Sequence, residues 1–208
     1  MLEIEIWSDY TCPYCYIGKT QLSQVLEEMN ITDYKITHRV FLLDAGKETH
    51  PERTFLEGLH VSPTEEDSVR KKLLEINQMA EKVGLHYDME HIPDIATEDA
   101  HRLTLWAQEK GQHIPLNTRI FKAYFEECQD ISNHDVLASL AAEVGLPEDE
   151  ARQLLADRNA YRDQLFEDFE EAAEREVDLV PHYTFNNKIE MMGIMTLKAI
   201  RKHIEMAL

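Results

Sequence analysis

Within its first 43 residues the chain changes hydrophobic period twice, and this constrains its fold more than any other feature. Leu2, Ile4 and Ile6 alternate with Glu3 and Glu5 and lead through Trp7 to Ser8-Asp9, the period-2 pattern of a strand. Leu22, Val25, Leu26 and Met29 then fall at i, i+3, i+4 and i+7, one apolar face of a helix predicted from about Pro13 to Met29. The run "YKITHRVFLL", Tyr34 to Leu43, returns to strand character. Strand, helix and strand so close together form a βαβ unit, which requires parallel strands joined by a right-handed crossover.

From about Pro51 to Val177 the pattern reads as almost wholly helical. Ser62 with Glu65, Glu66 and Asp67 supplies a cap and an acidic first turn for a helix reaching about Val83, stopped by Gly84. Further helices are predicted in "TEDAHRLTLWAQEKG", "PLNTRIFKAYFEE", "SNHDVLASLAAEVG", "PEDEARQLLAD" and "AYRDQLFEDFEEAAEREV". The tail returns to two short strands, "LVPHYTFNN" and "KIEMMG", turning at Asn186-Asn187, and ends in an amphipathic helix. The order βαβ, many helices, ββα predicts an α/β fold whose small sheet draws on both chain ends, with helices inserted between them.

Cys12 and Cys15 sit where the first strand meets the first helix. In mid-helix an i, i+3 pair has Cβ atoms about 5–6 Å apart, wider than the roughly 3.5–4.5 Å of a disulfide. The pair closes more easily if Cys12 stands at the helix start with extended backbone, and Pro13, a residue favoured at the first helical position, supports that placement. Free amides there favour an anion, so Cys12 is the expected nucleophile and Cys15, a turn deeper, the resolving thiol. A structural zinc site would need four ligands, often from two such pairs; only Cys128 remains, and no metal is expected. Acidic Glu126-Glu127 beside Cys128 disfavour a thiolate, so that cysteine reads as structural.

Charge excludes other classes. With 21 Lys and Arg against 40 Asp and Glu the net charge is −19, a field that repels nucleic acid and anionic lipid. No stretch approaches the roughly 20 apolar residues that span a bilayer, and "MLEIEIWSDY" lacks the character of a signal peptide. The expectation is a cytoplasmic protein with reduced thiols.

The opening "IEIWSDYTCPYCYIGK" (Ile4 to Lys19), with "EDAHRLTLWAQEKG" (Glu98 to Gly111), "IFKAYFEECQDISNHDVLASLAAEVGL" (Ile120 to Leu146) and Val180-Pro181, resembles the DsbA-like branch of the thioredoxin superfamily, and within it the FrnE group. The resemblance spans nearly the whole chain. It implies a thioredoxin-fold domain of about residues 1–50 and 157–208 and an all-helical domain of 51–156. It implies a thiol–disulfide oxidoreductase with Cys12 and Cys15 catalytic and with Val180 and Pro181 toward substrate; Pro13, Tyr14 and His182 are also expected on the substrate side. Pro181 would be cis and face the dithiol, with Val180 offering backbone for substrate pairing. No cofactor is implied beyond the redox-active disulfide itself, with glutathione as a co-substrate. The partners would be disulfide-containing proteins or small-molecule thiols, met by a monomer or homodimer.

The sequence departs from the family at Leu179, where glycine is usual, at His182 and Tyr183, and at Met191-Met192-Gly193-Ile194. His182 reads first as a partly exposed strand histidine, with a charge or proton shuttle beside Cys12 as the alternative, and Met191, Met192 and Met195 as an adaptable surface near it or as packing. Pro13-Tyr14 is also the glutaredoxin dipeptide and carries no cation, which predicts a potential of roughly −200 to −230 mV. Two other functions compete: a glutathione-dependent isomerase or transferase of the hydroxychromene-carboxylate isomerase or kappa type, which carries serine where Cys12 stands, and a redox-sensing binding module or chaperone. Trp106, Phe121, Tyr124 and Phe125 are expected in the core.

Overall fold

The alternating N-terminal run forms β1 (Leu2–Ser8), followed by α1 (Pro13–Glu28) and β2 (Tyr34–Val40). The computed structural model describes residues 1–59 and 61–208. β1 and β2 pair in parallel from Leu2 with Tyr34 to Ser8 with Val40, as a βαβ unit requires. β5 (His182–Phe185) adds antiparallel to β1, and β6 (Ile189–Met192) to β5, giving the order β2-β1-β5-β6. Both chain ends therefore build one sheet.

The period-2 pattern of β1 gives that sheet two different faces. Leu2, Ile4 and Ile6 bury against Leu22, Val25 and Leu26 of α1, and against Ile200 and Ile204 of α9 (Leu197–Ala207). Tyr183, Phe185 and Met191 join this cluster, so Met191 is core packing; Met192 beside it is exposed. Glu5 and Trp7 point the other way. There Arg39 of β2 bridges Glu5 at 2.6 Å and Asp168 at 2.8 Å, fastening α8 (Arg162–Glu174) to the sheet.

Between β2 and α8 run α3 (Pro63–Glu81), α4 (Glu98–Glu109), α5 (His113–Phe125), α6 (His134–Glu143) and α7 (Glu148–Ala156). Gly84 lies at φ +82°, a backbone that ends a helix cheaply only without a Cβ. The expectation of an almost wholly helical 51–177 is corrected here. β3 (His50–Thr54) pairs antiparallel and irregularly with β4 (Pro93–Asp94), and a single turn, α2 (Phe55–Gly58), follows under a Thr54–Glu57 capping box. Charge pairing accompanies this ribbon: Lys47 and Arg53 converge on Asp94 at 2.6 and 2.7 Å. β2 also stops at Val40 short of the expected Leu43, because the Leu43 amide donates to the Asp9 carboxylate at 2.8 Å.

Trp106, Phe121, Tyr124 and Phe125 are all buried in the main core with Cys12 and Cys15. Beside them lies His38, whose imidazole burial holds well below its ordinary pKa, with the charges of His101, His113 and Lys19 adding to the effect. Burial also depresses His113 and His182. The unfolded chain takes up these protons near pH 6.5 and the folded chain does not, so stability is expected to fall as pH drops through that value. For His38 the loss is about 1.4 kcal/mol per pH unit at most. Urea denaturation at pH 7.5 and 5.5 checks this, with a shallower dependence expected in His38→Gln. Equal stability at the two pH values would count against it.

Candidate active site

Pro13 fixes where α1 begins. It occupies the first turn, leaving Cys12 at the N-cap with extended backbone, φ −84° and ψ 108°. The Cys12 amide donates to the Asp9 carbonyl at 3.1 Å and the Cys15 amide to the Cys12 carbonyl at 3.0 Å, so one tight turn presents both sulfurs. The Cys12 thiol donates to the Val180 carbonyl at 3.7 Å, across 168 residues of sequence. The Val180–Pro181 bond is cis. Pro181 packs on α1 at Gly18: a Cβ added there would lie 3.1 Å from the proline Cγ and would collide with the Tyr183 hydroxyl. Gly18 thus lets the β5 approach close against the helix that carries the dithiol.

The two thiols differ in environment. Cys12 and Cys15 are both largely buried, at 4% and 2% exposure. Burial pushes the Cys15 thiol well above its ordinary pKa, and the hydrogen bond and charge of Cys12 push the same way. Behind Cys15 a small cavity of about 40 Å³ is lined by Lys19, His38, His113 and Asn117. Burial draws the Lys19 amine down to about 7, although it donates to Asn117 and Thr118 at 2.6 Å each.

Three supports of this turn are not apparent from sequence. The Tyr87 hydroxyl donates to the Pro13 carbonyl at 2.8 Å. Asp9 is buried; burial alone would raise its carboxyl, but His101 at 3.5 Å, the Leu43 amide and the Thr97 hydroxyl at 2.8 Å hold it below the ordinary value. It ties the cysteine turn to α4 and to the segment after β2. Gly18 is the third. An acid three residues before a Cys-x-x-Cys pair was the available signal for Asp9; Tyr87 lies in a loop with no pattern to mark it.

Tyr14 is partly buried, with Lys72 Nζ 6.0 Å over its ring. Pro13, Tyr14 and Val180 line a cleft of about 530 Å³ that opens at Cys12, and its other walls come from Leu43, Phe55, Leu59 and Leu179. His182 is not part of this cleft, which corrects its expected role. Strand alternation turns its ring to the far face, buried edge-on against Trp7 at 5.6 Å with neither ring nitrogen hydrogen-bonded. Burial lowers its pKa from the ordinary imidazole value, and the charged groups acting on it are Glu190, Arg175 and Asp178. Cys128 follows α5 with its thiol donating to the Asp88 carbonyl at 3.6 Å, and burial, then Asp88, pushes it up to about 11. Among the described residues no group of three or more His, Cys, Asp or Glu side chains is clustered as metal ligands would be, and no helix is long and apolar enough to cross a membrane.

Comparison with known proteins gives one pattern. The model of the DSBA-like thioredoxin domain family matches residues 3–205. The uncharacterized protein YwbO of Bacillus subtilis (strain 168) is 27% identical over 203 residues, covering 90% of this chain and 88% of its own. The crystal structure of the probable DsbA oxidoreductase SCO1869 from Streptomyces coelicolor superposes with a TM-score of 0.90 at 27% identity, covering 100% of this chain and 90% of that one. The cytosolic disulfide reductase DsbM from Pseudomonas aeruginosa, solved with GSH, shares the fold at a TM-score of 0.66 and 17% identity, over 98% and 94% of the two chains.

Proposed function

Because the chain belongs to the DSBA-like thioredoxin domain family, a family of thiol–disulfide oxidoreductases, we propose that Cys12 and Cys15 are its redox pair and that they reduce or isomerise disulfides of proteins or small thiols. The observation that carries this reading is the asymmetry of the two sulfurs. Cys12 caps α1 at the cleft with its thiol on the Val180 carbonyl, while Cys15 is buried a turn deeper with its thiol pushed up.

Cys12 thiolate attacks one sulfur of the substrate disulfide; that S–S bond breaks, a mixed disulfide forms and the departing thiolate takes a proton. Cys15 then loses its proton and attacks Cys12 Sγ. The mixed disulfide breaks, an internal disulfide forms and the second substrate thiol leaves. Two protein thiols are oxidised and one substrate disulfide is reduced to two thiols; an external reducing thiol restores the pair by the reverse exchange. In the mixed disulfide the substrate backbone runs beside Val180 and Pro181, with Pro13 and Tyr14 against its side chains. The isomerase alternative gains nothing from the site, since both thiols that such chemistry dispenses with are present.

The direction follows from the potential. Against a cytoplasmic pool near −220 to −260 mV, a pair lying about 30 mV above the pool rests reduced by about tenfold, suiting a reductase or isomerase in that compartment. Equilibration in glutathione redox buffers, read by alkylation and mass spectrometry, tests it. A midpoint of roughly −200 to −230 mV is expected. A midpoint near −120 mV would make the protein a dedicated oxidant instead, and a pair that never oxidises would remove the reading altogether.

A further inference from the structure

We propose that the cleft beside Cys12 selects polypeptide disulfides flanked by an apolar residue and a lysine or arginine, and that it discriminates against glutathione and other anionic disulfides. The proposal rests on the dithiol reading above and adds a substrate class to it.

Three exposed leucines from three separate segments meet at this cleft: Leu43 at 53% exposure, Leu59 at 42% and Leu179 at 52%. Apolar side chains left in water around one opening mark a surface that a partner covers. The cleft volume of about 530 Å³ accommodates several side chains of a bound segment.

The charge at its rim is one-sided. Of the described lining residues Asp44, Asp94 and Asp178 are acidic and Lys47 is the one cation. Lys47 is committed, because Asp94 is buried and draws it to 2.6 Å with Arg53 at 2.7 Å behind. Asp44 keeps only a 3.9 Å contact with Lys47 and is 69% exposed. Asp178 is exposed and has no ion pair among the described residues. Lys72, 6.0 Å from the centre of the Tyr14 ring, does not line the cleft. Two carboxylates without a dedicated partner thus line the cleft next to Leu43 and Leu179.

Their placement relates them to the reacting sulfur. Asp178 stands two residues before Val180, whose carbonyl is 3.7 Å from Cys12 Sγ. A residue flanking the attacked sulfur therefore passes close to Asp178. Glutathione carries a net negative charge and no apolar side chain, so it meets repulsion here and leaves the leucines uncovered. The net charge of −19 adds a long-range repulsion of the same sign. A segment with a leucine and a lysine beside its cysteine covers the apolar walls and pairs with a free carboxylate.

The test is a single-turnover reaction of the pre-reduced protein, quenched by alkylation. The oxidants are three peptides identical except for lysine, glutamine or glutamate beside a Leu-Cys unit, each disulfide-linked to 2-mercaptoethanol, together with oxidised glutathione. Each rate is divided by the rate of the same oxidant with dithiothreitol, which removes the intrinsic effect of charge on exchange. The normalised rate for the lysine peptide is expected to exceed those for the glutamate peptide and oxidised glutathione by about tenfold at low salt, and by about two- to threefold at about 0.5 M salt. In the Asp44→Asn/Asp178→Asn double variant the lysine-to-glutamate ratio at about 0.5 M salt, where the long-range field is screened, should approach one. Equal normalised rates in the wild type, or a ratio that survives the double substitution, would overturn the proposal. Failure of the glutamine peptide to oxidise the pair at all would instead overturn the dithiol reading on which it rests.

Discussion

Cys12→Ser is expected to slow disulfide exchange at least about 1,000-fold, because it removes the attacking atom and no other thiol replaces it. The remaining thiols are unfit for the role in this geometry. Cys15 is buried beneath Cys12, with its thiol pushed up, and Cys128 is held on the Asp88 carbonyl with its thiol near 11. Cys15→Ser should behave differently. The first attack proceeds, but the intermediate has no internal nucleophile to resolve it, so turnover stops after one event and the mixed disulfide accumulates. Stopped-flow or quenched alkylation with a neutral peptide disulfide separates the two variants. A Cys12→Ser protein that still turns over at a tenth of the wild-type rate would move the chemistry away from this turn.

The second large effect is expected at Gly18, which touches neither sulfur. Its missing side chain lets β5 lie against α1, with the Tyr183 hydroxyl and Cγ of Pro181 occupying the space a Cβ would need. Tyr183 is fully buried and cannot swing aside. Gly18→Val should therefore destabilise the fold by about 1–3 kcal/mol through overpacking, with a few tenths more from a β-branched residue inside a helix. The strain pushes Pro181 and Val180 away from α1, and the carbonyl facing Cys12 moves with them. Exchange should slow as well, by roughly tenfold or more if the substrate seat shifts by about 1 Å. Denaturant unfolding and the exchange rate under native conditions read the two parts, with Gly18→Ala milder in both. Wild-type stability in Gly18→Val would mean that the close approach is not a constraint.

What could be read from the sequence follows physical period. β1, α1 and β2 are legible because each shows a regular apolar repeat, and the Cys12 cap is legible because Pro13 has few other places to sit beside a helix. β3 and β4 have no such repeat. β4 is two residues long, and its setting depends on Lys47 and Arg53 meeting Asp94, a contact between distant segments. The cleft is illegible for a related reason: Leu43, Phe55, Leu59 and Leu179 come from separate segments, and no spacing connects them. His182 shows how nearness in sequence misleads. It adjoins Pro181, which invites placing it at the dithiol, but period-2 alternation along β5 sends it to Trp7 while Tyr183 faces α1. Read as a strand position, its side could have been assigned from the pattern alone.

The most direct test of the account is to locate the covalent intermediate. Cys15→Ser, reacted with a peptide disulfide and digested without reductant, should yield the peptide linked to Cys12, near one equivalent per chain and released by dithiothreitol. A peptide linked to Cys128, or no adduct while the wild-type protein turns over the same substrate, would contradict the assignment of Cys12 as the nucleophile and Cys15 as the thiol that resolves it.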